Sequence, residues 1–258
     1  MNPNILVVDD NAEVLEFIAD DLREKYNVFT AADGAEAMEI LKHECVHLVV
    51  TDVMMPVMDG FELCKNIKND VKSSHIPVIL LTAKNTMQSK IEGLEQGADA
   101  YVDKPFSPEY LQVQISNLLS NRNKIKEHFS NSPLVHIKTM AYSRADEQFL
   151  EKVNEVIDKN MSNANLDVDH LADAMNMSRP TLYRKIKAIS DLTPNDLINV
   201  TRLKRAAELL CEGSYRIFEI AEMVGYSSQS QFGRSFSKQF NVSPLEYAHG
   251  KRDMKESA

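Results

Sequence analysis

The chain has 258 residues, 43% hydrophobic and 26% charged, with 8 Gly and 9 Pro; at about 100 to 200 residues per domain this is a two-domain globular composition, and disordered, collagenous and low-complexity readings are excluded. Cys45, Cys64 and Cys211 are widely spaced and odd in number, which fits reduced thiols and leaves no disulfide framework or thiolate metal cluster. No apolar run approaches the roughly 18 residues of a membrane span, and the start MNPNILVVDD has no basic leader, so a cytoplasmic chain with no membrane insertion of its own is expected.

The net charge of -9 is unevenly shared. Residues 1–120 carry 9 Lys/Arg against 20 Asp/Glu, whereas 121–258 carry 20 against 18. The first half would repel a polyanion; in the second, Lys and Arg concentrate between Arg179 and Lys238, where a nucleic-acid contact is possible.

Short apolar runs mark the first half: Ile5 to Val8, Leu48 to Val50, Val78 to Leu81 and a weaker Tyr101-Val102. Helical spacing lies between them, as in Val14, Leu15, Ile18 and Leu22. Apolar strands bounded by helices are covered on both faces, which predicts a doubly wound, five-stranded parallel sheet ending near Arg122, so the first domain spans 1–122.

Chemistry-bearing residues fall at the strand ends: Asp9 and Asp10 after the first strand, Asp52 after the third, Thr82 at the fourth and Lys104 after the fifth. The carboxyl ends of parallel strands share one edge, so these groups converge. Clustered carboxylates with few other donors suit Mg2+, and an Asp held there can attack a phosphoryl group to give an acyl phosphate. The ion and Lys104 would balance the phosphoryl charge, and the Thr82 hydroxyl would bond one of its oxygens. A single strand-end Asp is more often a helix cap, with Asp10 or Asn11 suited to the first helix and Asp59 to the third. Five suitable groups in one register decide for a site.

The segments VVDD at 7–10, TDVMMPVMDG at 51–60, LTA at 81–83 and the pair Lys104-Pro105 resemble the response-regulator receiver family, a flavodoxin-like fold, over about the first 120 residues. The resemblance implies that Asp52 is the phosphoacceptor, that Asp10, Asp52 and the Met54 carbonyl bind Mg2+ with Asp9 acting through water, and that Thr82 and Tyr101 are a switch pair. It also implies a cis Lys104-Pro105 bond. Positions two beyond the phosphoacceptor and two beyond the switch Thr influence phosphate loss in receivers; here they are Met54 and Lys84, neither suited to orienting water, so a long-lived phosphoryl group is expected.

Residues 123–145 read as a polar linker, and 146–251 as an all-α domain followed by a tail, 252–258. The domain repeats internally. Leu171-Ala172, Met175, Met177 and Ser178 recur 49 residues later as Ile220-Ala221, Val224, Tyr226 and Ser227, and Leu182, Arg184, Ile186 and Thr193-Pro194 recur 50 later as Phe232, Arg234, Phe236 and Ser243-Pro244. With Leu182, Ile186 and Ile189 inward, Pro180, Arg184 and Lys187 face away; with Phe232 and Phe236 inward, Ser230, Arg234 and Ser237 do. A short helix, a tight turn and a helix with a basic outer face make a helix-turn-helix, here in tandem. A solvated basic face explains any single Arg, but gives no reason for the match of Arg184 with Arg234. Thr193 and Pro194 predict the cap and first residue of a rigid joining helix.

Residues 149–250, and most specifically IAEMVGYSSQSQFGRSFSKQFNVSPLEY at 220–247, resemble the AraC-type DNA-binding domain. The resemblance points to Tyr183 and Arg184 in one recognition helix and Gln229, Ser230 and Arg234 in the other as groove residues, with Pro180 a departure at an outward position; Lys187, on the outward face of the first, is expected to join them in binding DNA. The whole chain is therefore expected to be a phosphorylation-dependent transcription regulator of a two-component phosphorelay. Its expected partners are double-stranded DNA, a sensor histidine kinase or phosphotransfer donor, RNA polymerase and, once phosphorylated, a second copy of itself. The arrangement also resembles the carboxyl-terminal part of hybrid sensor kinases, which would make it the cytoplasmic end of a larger membrane-anchored protein. Two rival readings remain: a phosphohydrolase, disfavoured because Met54 stands where a general-acid Asp is wanted, so no enzyme is expected, and a phosphorylation-independent DNA-binding or interaction protein with a receiver-like dimerisation domain.

Overall fold

The computed structural model describes residues 2–83 and 96–256, with side chains through 250. The chain divides into two compact units, Met1–Asn123 and Lys124–Ala258.

In the first unit the apolar runs form β1 (Asn4–Val8), β3 (Leu48–Asp52) and β4 (Val78–Thr82), joined by β2 (Asn27–Ala31) and β5 (Ala100–Asp103). All pairings are parallel, in the order β2-β1-β3-β4-β5. Side chains alternate across the sheet. Leu6, Val8 and Val49 pack with Leu63 and Ile67 on one face; Ile5, Val7, Leu48 and Val50 pack with Ile18, Leu22, Leu111 and Ile115 on the other.

The helices around this sheet are α1 (Ala12–Arg23), α2 (Gly34–His43), α3 (Gly60–Asn69) and α4 (Pro108–Asn131), the last crossing the division between the units. Asn11 caps α1, accepting from the Glu13 and Val14 amides, which leaves the Asp10 carboxylate out of that cap. Asp59 caps α3. The chain turns tightly there: a Cβ on Gly60 would stand 2.1 Å from the Asp52 carbonyl oxygen, so only glycine fits. The helix expected between β4 and β5 and the Lys84 position lie outside the described residues.

The second unit is helical: α5 (Arg144–Lys159), α6 (Val168–Ala174), α7 (Arg179–Ser190), α8 (Pro194–Glu212), α9 (Ile217–Met223), α10 (Gln229–Phe240) and α11 (Pro244–Glu256). The repeat holds at the level of backbone conformation. Asn176 and Gly225 take positive φ in the two turns, Asp191 and Asn241 at the ends of α7 and α10. Ser178 and Ser228 cap those helices, so the extra residue of the second copy falls in its turn. Gly225 cannot be the Asn of the first copy, because a Cβ there would sit 2.6 Å from the Met161 carbonyl oxygen.

Thr193 caps α8 in a reciprocal capping box with Asp196, and Pro194 opens the helix. This helix serves both repeats. Leu197, Ile198 and Val200 enter the core of the first with Leu182, Ile186 and Ile189, while Leu203, Ala206, Ala207 and Leu210 enter that of the second with Phe232 and Phe236. Residues 123–145 differ from a plain polar linker. They contain the end of α4 and a 3-10 turn, Ile137–Met140, and they bury Phe129, Ile137 and Met140 in the first core. Their apolar anchors are too sparse to show a period, yet each fills a place in the packing.

Candidate functional site

The strand order reverses beside β1, which is followed in sequence by β2 on one side and has β3 on the other, and ligands favour the crevice at the carboxyl ends of strands at such a point. Asp9 follows β1 and Asp52 ends β3. Both are buried, at 2% and 8% exposure, and the Lys104 ammonium bridges them, 2.9 Å from Asp9 Oδ2 and 2.8 Å from Asp52 Oδ1. Burial works against the charge of Lys104, but its hydrogen bonds and ion pairs with Asp52 and Asp9 outweigh that and raise its pKa above the usual lysine value. The remaining carboxylate oxygens are also engaged. Asp9 Oδ1 accepts from the Asn11 amide at 2.9 Å, and Asp52 Oδ2 from the Met54 amide at 2.9 Å.

The other expected residues take different places around this core. Thr82 is buried at the end of β4, and its carbonyl accepts from the Lys104 amide at 2.8 Å, which sets the height of the lysine. Leu80 pairs with Tyr101 across β4 and β5, so Thr82 and Tyr101 share a face of the sheet; the tyrosine is half-buried. The Lys104-Pro105 bond is cis. Met54 joins the site through its backbone, and its side chain is 60% exposed. Asp10 is exposed, and among the described residues no group of three or more His, Cys, Asp and Glu is gathered as a metal cage. The Asp9 and Asp52 carboxylates still suit an ion such as Mg2+ that takes few protein donors among its waters, and two carboxylates against one ammonium leave this core net anionic.

On the second unit, all six expected DNA contacts are exposed: Tyr183, Arg184 and Lys187 on α7, and Gln229, Ser230 and Arg234 on α10. The Lys187 ammonium hydrogen-bonds the Asp191 carbonyl at the end of its own helix, so it acts as a C-terminal cap. Lys185, on the inward side of α7, pairs with Asp146 in the core, and Lys204 on α8 is buried too. The inward position of Lys185, three residues after Leu182, was the available signal; Lys204 gave none.

Residues 5–116 match the family described as Response regulator receiver domain, and residues 171–250 the family described as Helix-turn-helix domain. Over 243 residues the chain is 40% identical to Histidine kinase P4 of Formosa agariphila, which covers 94% of this chain and 18% of that protein. It is 41% identical over 120 residues to the alkaline phosphatase synthesis transcriptional regulatory protein PhoP of Bacillus subtilis (46% of this chain, 49% of that one). It is 47% identical over 116 residues to the probable transcriptional regulator ycf27 of Cyanophora paradoxa (45% and 47%). The chain thus spans about half the length of those regulators and a much smaller share of the kinase. Sheet, crevice and tandem repeat define the class, a doubly wound receiver fold followed by a helix-turn-helix domain. Residues 5–116 thus form an amino-terminal domain of the response-regulator receiver kind and residues 171–250 a carboxyl-terminal helix-turn-helix domain.

Proposed function

We propose that the chain is a two-component transcription regulator that accepts a phosphoryl group on Asp52 and binds DNA through its two helix-turn-helix units. The observation that carries this is the Asp52 carboxylate, nearly buried at the mouth of the sheet with Lys104 at 2.8 Å. Attack by a carboxylate oxygen on a phosphohistidine donor forms the P–O bond of an acyl phosphate as the P–N bond breaks, and the imidazole leaves with a proton. Lys104 remains beside the new dianion and offsets its charge. Asp10, Asp52 and the Met54 carbonyl would hold Mg2+, with Asp9 bound through water, and the ion would supply further charge neutralisation. The Thr82 hydroxyl, on the same edge, donates to a phosphoryl oxygen.

Moving Thr82 toward the phosphoryl group frees space on the face it shares with Tyr101, and the ring fills it. That change reaches the surface beside β5 and α4 and favours a dimer, which places two DNA-binding domains on adjacent half-sites and raises their effective concentration. Arg184 and Arg234 then supply the planar, bidentate donors suited to guanine edges or phosphates. The chain is a regulator rather than an enzyme, its place is the cytoplasm, alone or within a longer sensor, and RNA polymerase reads out its occupancy of DNA.

The test is phosphorylation by acetyl phosphate with Mg2+, followed on phosphate-affinity gels, combined with selection of bound DNA from a random pool. Asp52 should be the labelled residue and labelling should tighten binding of the selected sequence. An Asp52→Asn variant that is labelled like the parent, or a selected pool no different from the input, would overturn the reading.

A further inference from the structure

The second unit holds a cavity of about 390 Å³ between the segment that ends α4, α5 and the middle of α8, within the size range of small-molecule sites. Phe129, Leu134, Val135, Ile137 and Met161 give it apolar walls. Its polar lining comes from His136, from Asn154 and Asp158 on α5 and from a short stretch of α8. Lys204 is 8% exposed, and its ammonium donates to the Phe129 carbonyl at 2.6 Å and the Ser132 carbonyl at 2.5 Å, 4.3 Å from the Phe129 ring centre. Two carbonyls account for two of its three donors. One turn earlier Thr201 is 7% exposed, and its Oγ1 is buried with no hydrogen-bond partner.

The charges around the cavity separate into two groups. Arg205 pairs with Glu208 at 2.6 Å. Asp158 accepts from Asn154 at 2.7 Å; burial raises its pKa, with Arg205 and His136 favouring its charge and Glu208 opposing it. Lys204 stands apart in having no ion pair among the described residues, and burial pushes its pKa down to about 8. A buried ammonium with a spare donor, a buried hydroxyl three residues away on the same helix face and an apolar chamber beside them call for an anion with a hydrocarbon body.

We propose that this cavity is a binding site for a small monocarboxylic acid, its carboxylate received by the Lys204 ammonium and the Thr201 hydroxyl and its hydrocarbon body by Leu134, Val135 and Ile137. The wall it would bridge consists of the connecting segment and the helix shared by both repeats, so the occupant acts where the two cores meet. The competing reading is that Lys204 serves only to cap the carbonyl end of α4.

Calorimetric titration of the full chain with octanoate, octan-1-ol and octylamine decides between them. Octanoate should bind at least about tenfold tighter than either of the others, Lys204→Met should erase that preference while leaving octanol binding in place, and Thr201→Val should weaken octanoate several-fold. Equal binding of octanoate and octanol, tighter binding of octylamine, no binding of octanoate at millimolar concentration, or an unchanged preference in Lys204→Met would each overturn the proposal. If Lys204→Met does not fold, acetylation footprinting of the parent chain decides: octanoate should slow modification of Lys204 and octanol should not, and equal rates with both would overturn it.

Discussion

Lys185 and Asp146 form an ion pair shut off from solvent, Nζ to Oδ1 2.5 Å, with side chains 1% and 0% exposed. It ties the first turn of α5 to the middle of α7 and fixes the rotation that presents Tyr183 and Arg184 outward. Breaking one side of such a pair leaves an uncompensated buried charge, at a cost of about 3 to 5 kcal/mol, whereas replacing both partners by apolar residues of similar volume is often neutral. Lys185→Met should therefore lose that much stability by urea denaturation, and Lys185→Met combined with Asp146→Leu should recover most of it.

This pair also marks where sequence reasoning stops. The strands β1, β3 and β4 are legible because residues covered on both faces must be apolar, and the edge strand β2 is not, since its outer positions are partly exposed. The tandem units show because the spacing of inward residues repeats. Asp9, Asp52, Thr82 and Lys104 could be placed together because parallel strands share a carboxyl edge. Lys185 stands at an inward position of α7, but its partner is a carboxylate 39 residues away, and Lys204 is held by a carbonyl 75 residues away; no local pattern names either partner.

Lys104 should matter more to phosphoryl transfer than to the fold, since it follows the end of β5. Its removal leaves Asp9 and Asp52 without the ammonium that bridges them. Lys104→Met should slow labelling of Asp52 by acetyl phosphate by roughly 100-fold, the scale seen when one preorganised charge partner is lost. Rates on phosphate-affinity gels check this, and labelling within about threefold of the parent would show that Lys104 is dispensable.

The acyl phosphate should persist for minutes or longer. The Met54 side chain is exposed at the mouth of the site and offers no oxygen to orient an attacking water. Met54→Glu places a general base there and should shorten the half-life about tenfold or more, while leaving the site of labelling unchanged. A parental half-life of seconds, measured after removal of the donor, would contradict this.

Stability should rise with pH in the alkaline range because of Lys204. Its pKa is about 8 in the folded chain against a usual value of 10.5, so the unfolded chain binds the proton more tightly. The penalty is complete below pH 8 and is relieved as pH rises from there toward 10.5, on the order of 1 to 2 kcal/mol after screening. Denaturant midpoints of the parent and Lys204→Met, compared across this range, should converge or cross as pH rises. The variant also loses the two carbonyl contacts, but that shifts its curve at every pH and leaves the difference in slope intact.

The matched arginines and the neighbouring lysine should separate in DNA binding. Arg184 and Arg234 are exposed at equivalent places on α7 and α10, with no cap to serve, so alanine at either should weaken binding by about 1 to 3 kcal/mol and relax preference over its own half of the site. Lys187 gives its ammonium to the Asp191 carbonyl and so meets DNA as a diffuse charge. Lys187→Ala should lower the salt dependence of binding by about one counterion, weaken all sequences alike and cost a few tenths of a kcal/mol or more of stability. Fluorescence anisotropy over a salt series with the selected duplex and a scrambled one tells these apart: if Arg184→Ala and Arg234→Ala reduce both duplexes equally, the two recognition helices hold the backbone and do not read bases.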